Sequence, residues 1–195
     1  MAGTNTTMGV SFGAGADAWG SYSYAAPGQT APKGAATTDG TGLHIQGAFV
    51  PPITGATNYM GFGLYYASAD CLDAASYTGV QFELAGSLGG CYLALGANFT
   101  GDAFRGDDPG RGGCMGSDST CYGPSADVTA QAAGGADAGV VVKVPFATLS
   151  AGMPIGTLDP STIVTLQWQL SASTLGTDAG GCSADFTVKN VAFYK

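Results

Sequence analysis

The chain has very little charge of either sign. Of its 195 residues, 6 are Lys or Arg and 14 are Asp or Glu, so charged residues make up 10% of the total, where soluble domains carry about 25%. Glu83 is the only glutamate, and every other acid is an aspartate. Exposed helix faces are built from Glu, Lys, Arg and Gln, and their scarcity excludes a helical bundle. Histidine occurs once, as His44, which leaves no H-E-x-x-H zinc motif, and no G-x-S-x-G nucleophile elbow occurs. No apolar run approaches the roughly 18 residues needed for a membrane-spanning helix. Six scattered cations against a net charge of −8 cannot form the basic patch that nucleic acid requires.

What the chain does contain is glycine (33 residues), 9 Phe, 9 Tyr, 2 Trp and 45% hydrophobic residues. That apolar content can bury a core, so disorder is excluded. The length suits a single β-sandwich domain over 1–195. Within it, residues 1–18 read as a flexible N-terminal segment and 100–139 as a long loop region containing a disulfide. The opening MAGTNTTMGV has neither the basic nor the apolar stretch of a secretion leader, so Met1 reads as a mature or truncated start. A secreted or extracellular location is then expected from composition: little lysine, many Thr, Ser, Gly and Tyr residues, and the pattern of cysteines.

The five cysteines are Cys71, Cys91, Cys114, Cys121 and Cys182. Cys114 and Cys121 bracket the short polar loop CMGSDSTC, an easy span for a local disulfide. Paired C-x2-C spacings and additional histidines are missing, which favours disulfides over a metal centre. Cys91 and Cys182 each open an apparent strand and form the second candidate pair. Cys71 is left over, free or linked to another chain.

Alternation with period two recurs in short stretches separated by Gly, Pro, Asp and Ser clusters. It is clear in Leu43–Phe49, Tyr59–Tyr66, Val80–Leu84, Tyr92–Phe99, Ile163–Leu170 and Phe186–Phe193, with an apolar run at Val140–Val144. Short strands joined by turn-rich loops indicate an all-β fold, a single antiparallel sandwich or jelly roll. Single helical turns are expected at Asp73–Tyr77 and Pro145–Leu149. If each apolar set points inward, the opposite side presents His44, Gln46, Tyr59, Tyr65, Gln81, Glu83, Tyr92, Asn98, Gln167 and Gln169. Amides and tyrosines interleaved with glycine, where Lys and Glu normally stand, match what a neutral sugar chain asks for: paired hydrogen bonds to hydroxyls and flat apolar platforms. The competing explanation is that this side is a second packed layer.

Catalysis would need two carboxyl groups about 5–10 Å apart. Glu83 with Asp102 or Asp108 is the pairing available for a small hydrolase or lyase, but no motif ties these acids together. Asp102, Asp107, Asp108 and Asp118 also offer oxygen ligands for calcium, although their spacing matches no EF-hand and Gly-Asp-Asp-Pro-Gly reads equally as consecutive turns.

Several motifs taken in order resemble a known family. They are Asp39-Gly40-Thr41-Gly42 before a strand, Gly61-Phe62-Gly63-Leu64, Leu72 to Phe82, Val144-Pro145-Phe146-Ala147-Thr148-Leu149, Leu166-Gln167-Trp168-Gln169, and Asp185 to Val191. Across Trp19 to Tyr194 the chain resembles carbohydrate-binding modules of the galactose-binding-like jelly-roll type, as found in secreted myxobacterial and related bacterial proteins. The resemblance implies a non-catalytic β-sandwich, often with structural calcium, that holds an appended enzyme on polysaccharide. Lys189-Asn190 stands where members commonly carry an acid. The expectation is therefore a non-catalytic polysaccharide-binding domain without a required cofactor. Its rivals are an adhesive protein self-associating through the polar face or an edge strand, and a small polysaccharide-active enzyme centred on Glu83.

Overall fold

Where apolar and polar residues alternate in this chain, strands form and pair antiparallel. The computed structural model describes residues 18–25, 33–38, 42–49, 60–117, 120–134, 139–172 and 182–195. Among the described residues ten strands are formed: β1 (Ala18–Ala25), β2 (Lys33–Thr38), β3 (Gly42–Phe49), β4 (Met60–Leu72), β5 (Gly79–Ser87), β6 (Cys91–Phe99), β7 (Ser125–Asp127), β8 (Val140–Pro145), β9 (Ile163–Ala172) and β10 (Cys182–Tyr194). They make two five-stranded sheets, ordered β1-β4-β9-β6-β7 (sheet A) and β2-β3-β10-β5-β8 (sheet B). Every ladder between these strands is antiparallel. The expected all-β sandwich is what the chain builds. A short helix, α1 (Thr129–Ala132), and a 3-10 turn at Phe146–Thr148 complete the elements.

The core lies between the sheets. Sheet A contributes Leu93, Leu95, Leu166, Trp168 and Leu170; sheet B contributes Leu43, Ile45, Phe82, Leu84, Phe186 and Val188. Trp168 (1% exposed) and Phe82 (0%) meet edge to face across the layers, with ring centroids 5.7 Å apart and planes at 87°, the geometry that their quadrupoles favour. The apolar run of β8 resolves into alternation as well: Val142 and Val144 are buried while Val141 is 59% exposed.

Three strands have no counterpart in the sequence reading, and each lies at a sheet edge. β1 (AWGSYSYA), β2 (KGAATT) and β7 (SAD) are short or rich in small and polar residues. An edge strand has only one neighbour and carries a weaker apolar signal. β7 and α1 fall inside the 100–139 region read as loop and connector. Residues 1–17, most of the segment read as flexible, lie outside the described residues.

Two disulfides form, Cys91–Cys182 and Cys114–Cys121, in the pairing expected; Cys71 is free and exposed. Cys91–Cys182 joins β6 of sheet A to β10 of sheet B across 91 positions of sequence, whereas Cys114–Cys121 spans only 7. The loop after β6 is also held from within. Asp102 is wholly buried; its Oδ1 accepts the Phe99 N–H at 2.9 Å, and its Oδ2 has no hydrogen-bond partner among the described residues. Burial pushes this carboxyl up to about 7, against the pull of the backbone donors.

Closing a loop of roughly 90 residues removes far more unfolded-state freedom than closing a short one. Replacing Cys91 and Cys182 by alanine is expected to lower stability by about 2–5 kcal/mol in denaturant titration, with a smaller loss for the Cys114/Cys121 double variant; equal losses would contradict this. For Asp102, the folded value lies above the ordinary 3.8. The stabilisation linked to its proton is therefore complete below about pH 4 and is lost as pH rises through about 7. The thermal midpoint should fall between pH 5 and pH 8, and Asp102→Asn should flatten that slope. A wild-type profile unchanged by the substitution would refute the assignment.

Candidate functional site

Among the described residues, the inward sides of β3, β5, β6, β9 and β10 are occupied by the core, so chemistry on these strands is confined to the outer faces. Sheet register divides nine of the ten sequence-predicted residues between those faces. On sheet A, Tyr65 stands opposite Gln167, Gly63 opposite Gln169 and Gly61 opposite Ser171. Across β9 the rows continue to Gly96 beside Gln167, Ala94 beside Gln169, Tyr92 beside Ser171 and Asn98 beside Thr165. On sheet B, His44 pairs with Thr187 and Gln46 with Asp185, while Glu83 lies between Lys189 and Val141, and Gln81 between Ala192 and Lys143. Tyr59 lies outside the described residues. The ten therefore do not form one patch. Period two shows which side of a strand is polar, but not which sheet the strand joins.

The two faces differ in chemistry. On sheet B the polar groups engage one another. Glu83 Oε1 pairs with Lys189 Nζ at 3.0 Å, and its Oε2 accepts the Asn190 amide at 2.8 Å. These hydrogen bonds, Lys189 first, hold the Glu83 carboxyl below its ordinary value. Gly139, at φ +75°, comes so close that an added Cβ would sit 2.7 Å from Glu83 Oε1. His44 Nε2 meets Asp185 Oδ1 at 2.7 Å, and Gln46 donates to Asp185 Oδ2 at 2.8 Å. Hydrogen bonding by His44, then Gln46, keeps Asp185 below its ordinary value.

Sheet A carries no such charge network among its described face residues. Gln167 and Gln169 stand on its middle strand, half-buried. Gly96 makes room for the first of them: a Cβ there would lie 2.9 Å from Gln167 Nε2 and 3.0 Å from its Cγ. Gly63 and Ala94 flank Gln169 in register. Tyr92, 37% exposed, donates its hydroxyl to Asp127 of β7. Burial, then the charge and hydrogen bond of Asp127, push the Tyr92 phenol up. Burial also works to raise Asp127, but the Thr129 backbone N–H, the Thr129 side chain and Tyr92 outweigh it and hold the carboxyl below its ordinary value. Asn98 has a positioning job: its Oδ1 accepts the Gly123 N–H at 3.1 Å and ties the disulfide loop to β6.

Residues absent from the sequence reading also stand in these rows. Tyr22 and Tyr24 of β1 occupy register positions opposite Gly63 and Gly61, and Asp127 lies opposite Ala94. The Tyr-Ser-Tyr alternation in β1 was the available signal for the first two. Of the loop aspartates, Asp108 is ion-paired with Arg111 at 2.6 Å, and Asp102 is buried alone in its turn. Asp118 lies outside the described residues. Among the described residues, no group of three or more His, Cys, Asp or Glu side chains could hold a metal ion. Asp102 and Asp108 follow a strand of sheet A, whereas Glu83 lies on the outer face of sheet B, so they do not share a face with it.

No family model matches the chain, and no curated relative matches it. Among solved structures, it is similar to the family 11 carbohydrate-binding module of the cellulosomal cellulase Lic26A-Cel5E of Clostridium thermocellum, at 16% identity and a TM-score of 0.57, covering 100% of this chain and 96% of that one. It is also similar to a family 11 carbohydrate-binding module from Clostridium thermocellum in complex with a β-1,3-1,4-mixed-linked tetrasaccharide, at 17% identity and a TM-score of 0.52, covering 90% and 88%. The chain thus has a jelly-roll fold like that of carbohydrate-binding modules.

Proposed function

We propose that this chain is a non-catalytic module that binds a neutral polysaccharide through the outer face of sheet A. The observation that carries this reading is the pair Gln167 and Gln169 at the centre of the sheet, bordered by Gly63, Gly96 and Ala94. A primary amide carries one acceptor and two donors, and Gly96 lets the Gln167 side chain lie close over the sheet. Tyr92 and, by register, Tyr65, Tyr22 and Tyr24 supply aromatic positions around them. A face built on amides and phenols recognises hydroxyls without demanding charge. The carbohydrate-binding modules sharing this fold support the reading, and the tetrasaccharide held by one of them makes mixed-linkage β-glucan the first ligand to try. Two disulfides support an extracellular setting.

Affinity electrophoresis in gels containing soluble glucans, mannans and xylans tests the proposal. Gln167→Ala and Gln169→Ala are each expected to weaken binding about fivefold, because a neutral hydrogen bond contributes about 1 kcal/mol. Tyr92→Ala should weaken it at least as much. No retardation of wild type on any polysaccharide would refute the assignment, as would well-folded Gln167 and Gln169 variants that bind like wild type.

Glu83 provides the contrasting test. A glycosidase acid needs a raised value, and Lys189 and Asn190 do the opposite here. Glu83→Gln should change stability by no more than about 1 kcal/mol, as expected for a partly exposed ion pair, and leave glycan retention unaltered. Release of reducing sugar by wild type but not by Glu83→Gln would turn the assignment toward catalysis.

A further inference from the structure

Sheet A does not end abruptly at β7. Beyond it, a cleft of about 350 Å³ opens between the edge of sheet A and the edge of sheet B, within the size range of small-ligand sites, roughly 300–1,000 Å³. Val128 and Val144 are buried on its lining, with Pro145 beside them; Ser125, Asp127, Gln131, Thr148 and Ser150 supply hydroxyl, carboxylate and amide groups. No Lys or Arg contributes to the lining.

The walls are braced before any ligand arrives. Ser125 and Ser150 exchange backbone hydrogen bonds at 2.9 and 3.1 Å. The Thr148 hydroxyl donates to the Pro145 carbonyl at 2.7 Å, and the Thr129 N–H fixes Asp127 Oδ1 at 2.8 Å. Asp127 belongs to both places. It lines the cleft, accepts the Tyr92 hydroxyl, and stands in the row Asp127–Ala94–Gln169.

We infer that this cleft is a subsite for one neutral sugar residue, carried as a branch or as the chain end of a glycan lying on sheet A. The inference rests on the binding function proposed above. An apolar floor with a rim of hydroxyls and an amide suits a pyranose, and the carboxylate can accept hydrogen bonds from sugar hydroxyls. A carboxylate without a lining cation repels an acidic sugar, so uronic acids are rejected.

Amide NMR titration of the full chain tests this, with a linear β-1,3-1,4-mixed-linked tetrasaccharide and a xylose-branched xyloglucan heptasaccharide as probes. The expected result is that bound glycan shifts the amides of Ala94, Gly96, Gln167 and Gln169, and that the branched probe also shifts Ser125, Asp127, Gln131 and Ser150. Gln131→Ala, on the exposed side of α1, and the cleft-filling Thr148→Trp should each weaken the branched probe about fivefold, equivalent to about one hydrogen bond, and leave the linear probe unchanged. Shifts on sheet A without shifts in the cleft for both probes would overturn the subsite while leaving the module's function standing. Equal affinity of folded Gln131→Ala for the branched probe would do the same. Cleft shifts without sheet A shifts would overturn the continuity on which the inference depends. No shifts anywhere would remove both the subsite and the function beneath it.

Discussion

Trp168 packs edge to face on Phe82, and the two rings belong to different sheets. That contact anchors the alternation of β9. With Trp168 turned inward, Gln167 and Gln169 must turn outward, because successive side chains on a strand point to opposite faces. A slip of one residue would put two amides into the core and an indole on the surface, a change that burial of the neighbouring Leu166 and Leu170 also opposes. The position of the candidate binding groups therefore follows from the packing of the core. The disulfide Cys91–Cys182 clamps the same two layers where β6 and β10 begin.

The two outer faces of the sandwich use their polar residues differently. On sheet B, Glu83, Lys189 and Asn190 form one cluster, and His44, Gln46 and Asp185 another. In the first the Glu83 carboxylate meets the Lys189 ammonium, and in the second the Asp185 carboxylate is hydrogen-bonded by Gln46 and His44. Asn190 sits at φ +53°, beside the register shift between Lys189 and Ala192; a bulge of this kind re-aims side chains. Sheet A instead keeps its centre uncharged, and at its edge one carboxylate is bound by hydroxyl and amide donors. The pairs Glu83–Lys189, Asp108–Arg111 and His44–Asp185 all lie away from the centre of sheet A. A neutral ligand gains little from charge and loses nothing by its absence.

The central strands were legible because each buries one side against the other sheet, which writes a period of two into the sequence. Leu93, Leu95 and Ala97 against Tyr92, Ala94 and Gly96 is such a case. The edge strands β2 and β7 were not, since small and polar residues there produce no comparable alternation, and in β1 the Tyr-Ser-Tyr alternation sits among serine and glycine without an aliphatic set. The disulfides were readable from spacing and from the placement of Cys91 and Cys182 at strand starts. The division of polar residues between two faces was not readable, because it depends on strand order: β9 neighbours β6 in one sheet, and β5 neighbours β10 in the other. Tyr22 and Tyr24 gained meaning only when β1 was found beside β4. Asp102 looked like a loop acid available for chemistry, but the fold buries it.

Asp127 shows how the fold can give an edge residue two roles. It lies on a three-residue strand that sequence alone reads as loop, yet that strand completes sheet A and walls the cleft. The donors that keep it ionised, Thr129 and Tyr92, come from within the chain rather than from Lys or Arg. A carboxylate satisfied by a cation is committed to that partner in a tight, charge-assisted geometry. One held by a backbone N–H, a threonine side chain and a phenol still has an acceptor site that a sugar hydroxyl can use, since an ionised carboxylate has about four, and no Lys or Arg lines the cleft to compete for it. Tyr92 is oriented by the same bond, so the aromatic position at the end of sheet A and the acceptor at the cleft are set together. Loss of Asp127 would therefore disturb both places at once, whereas Gln131 and Thr148 act on the cleft alone.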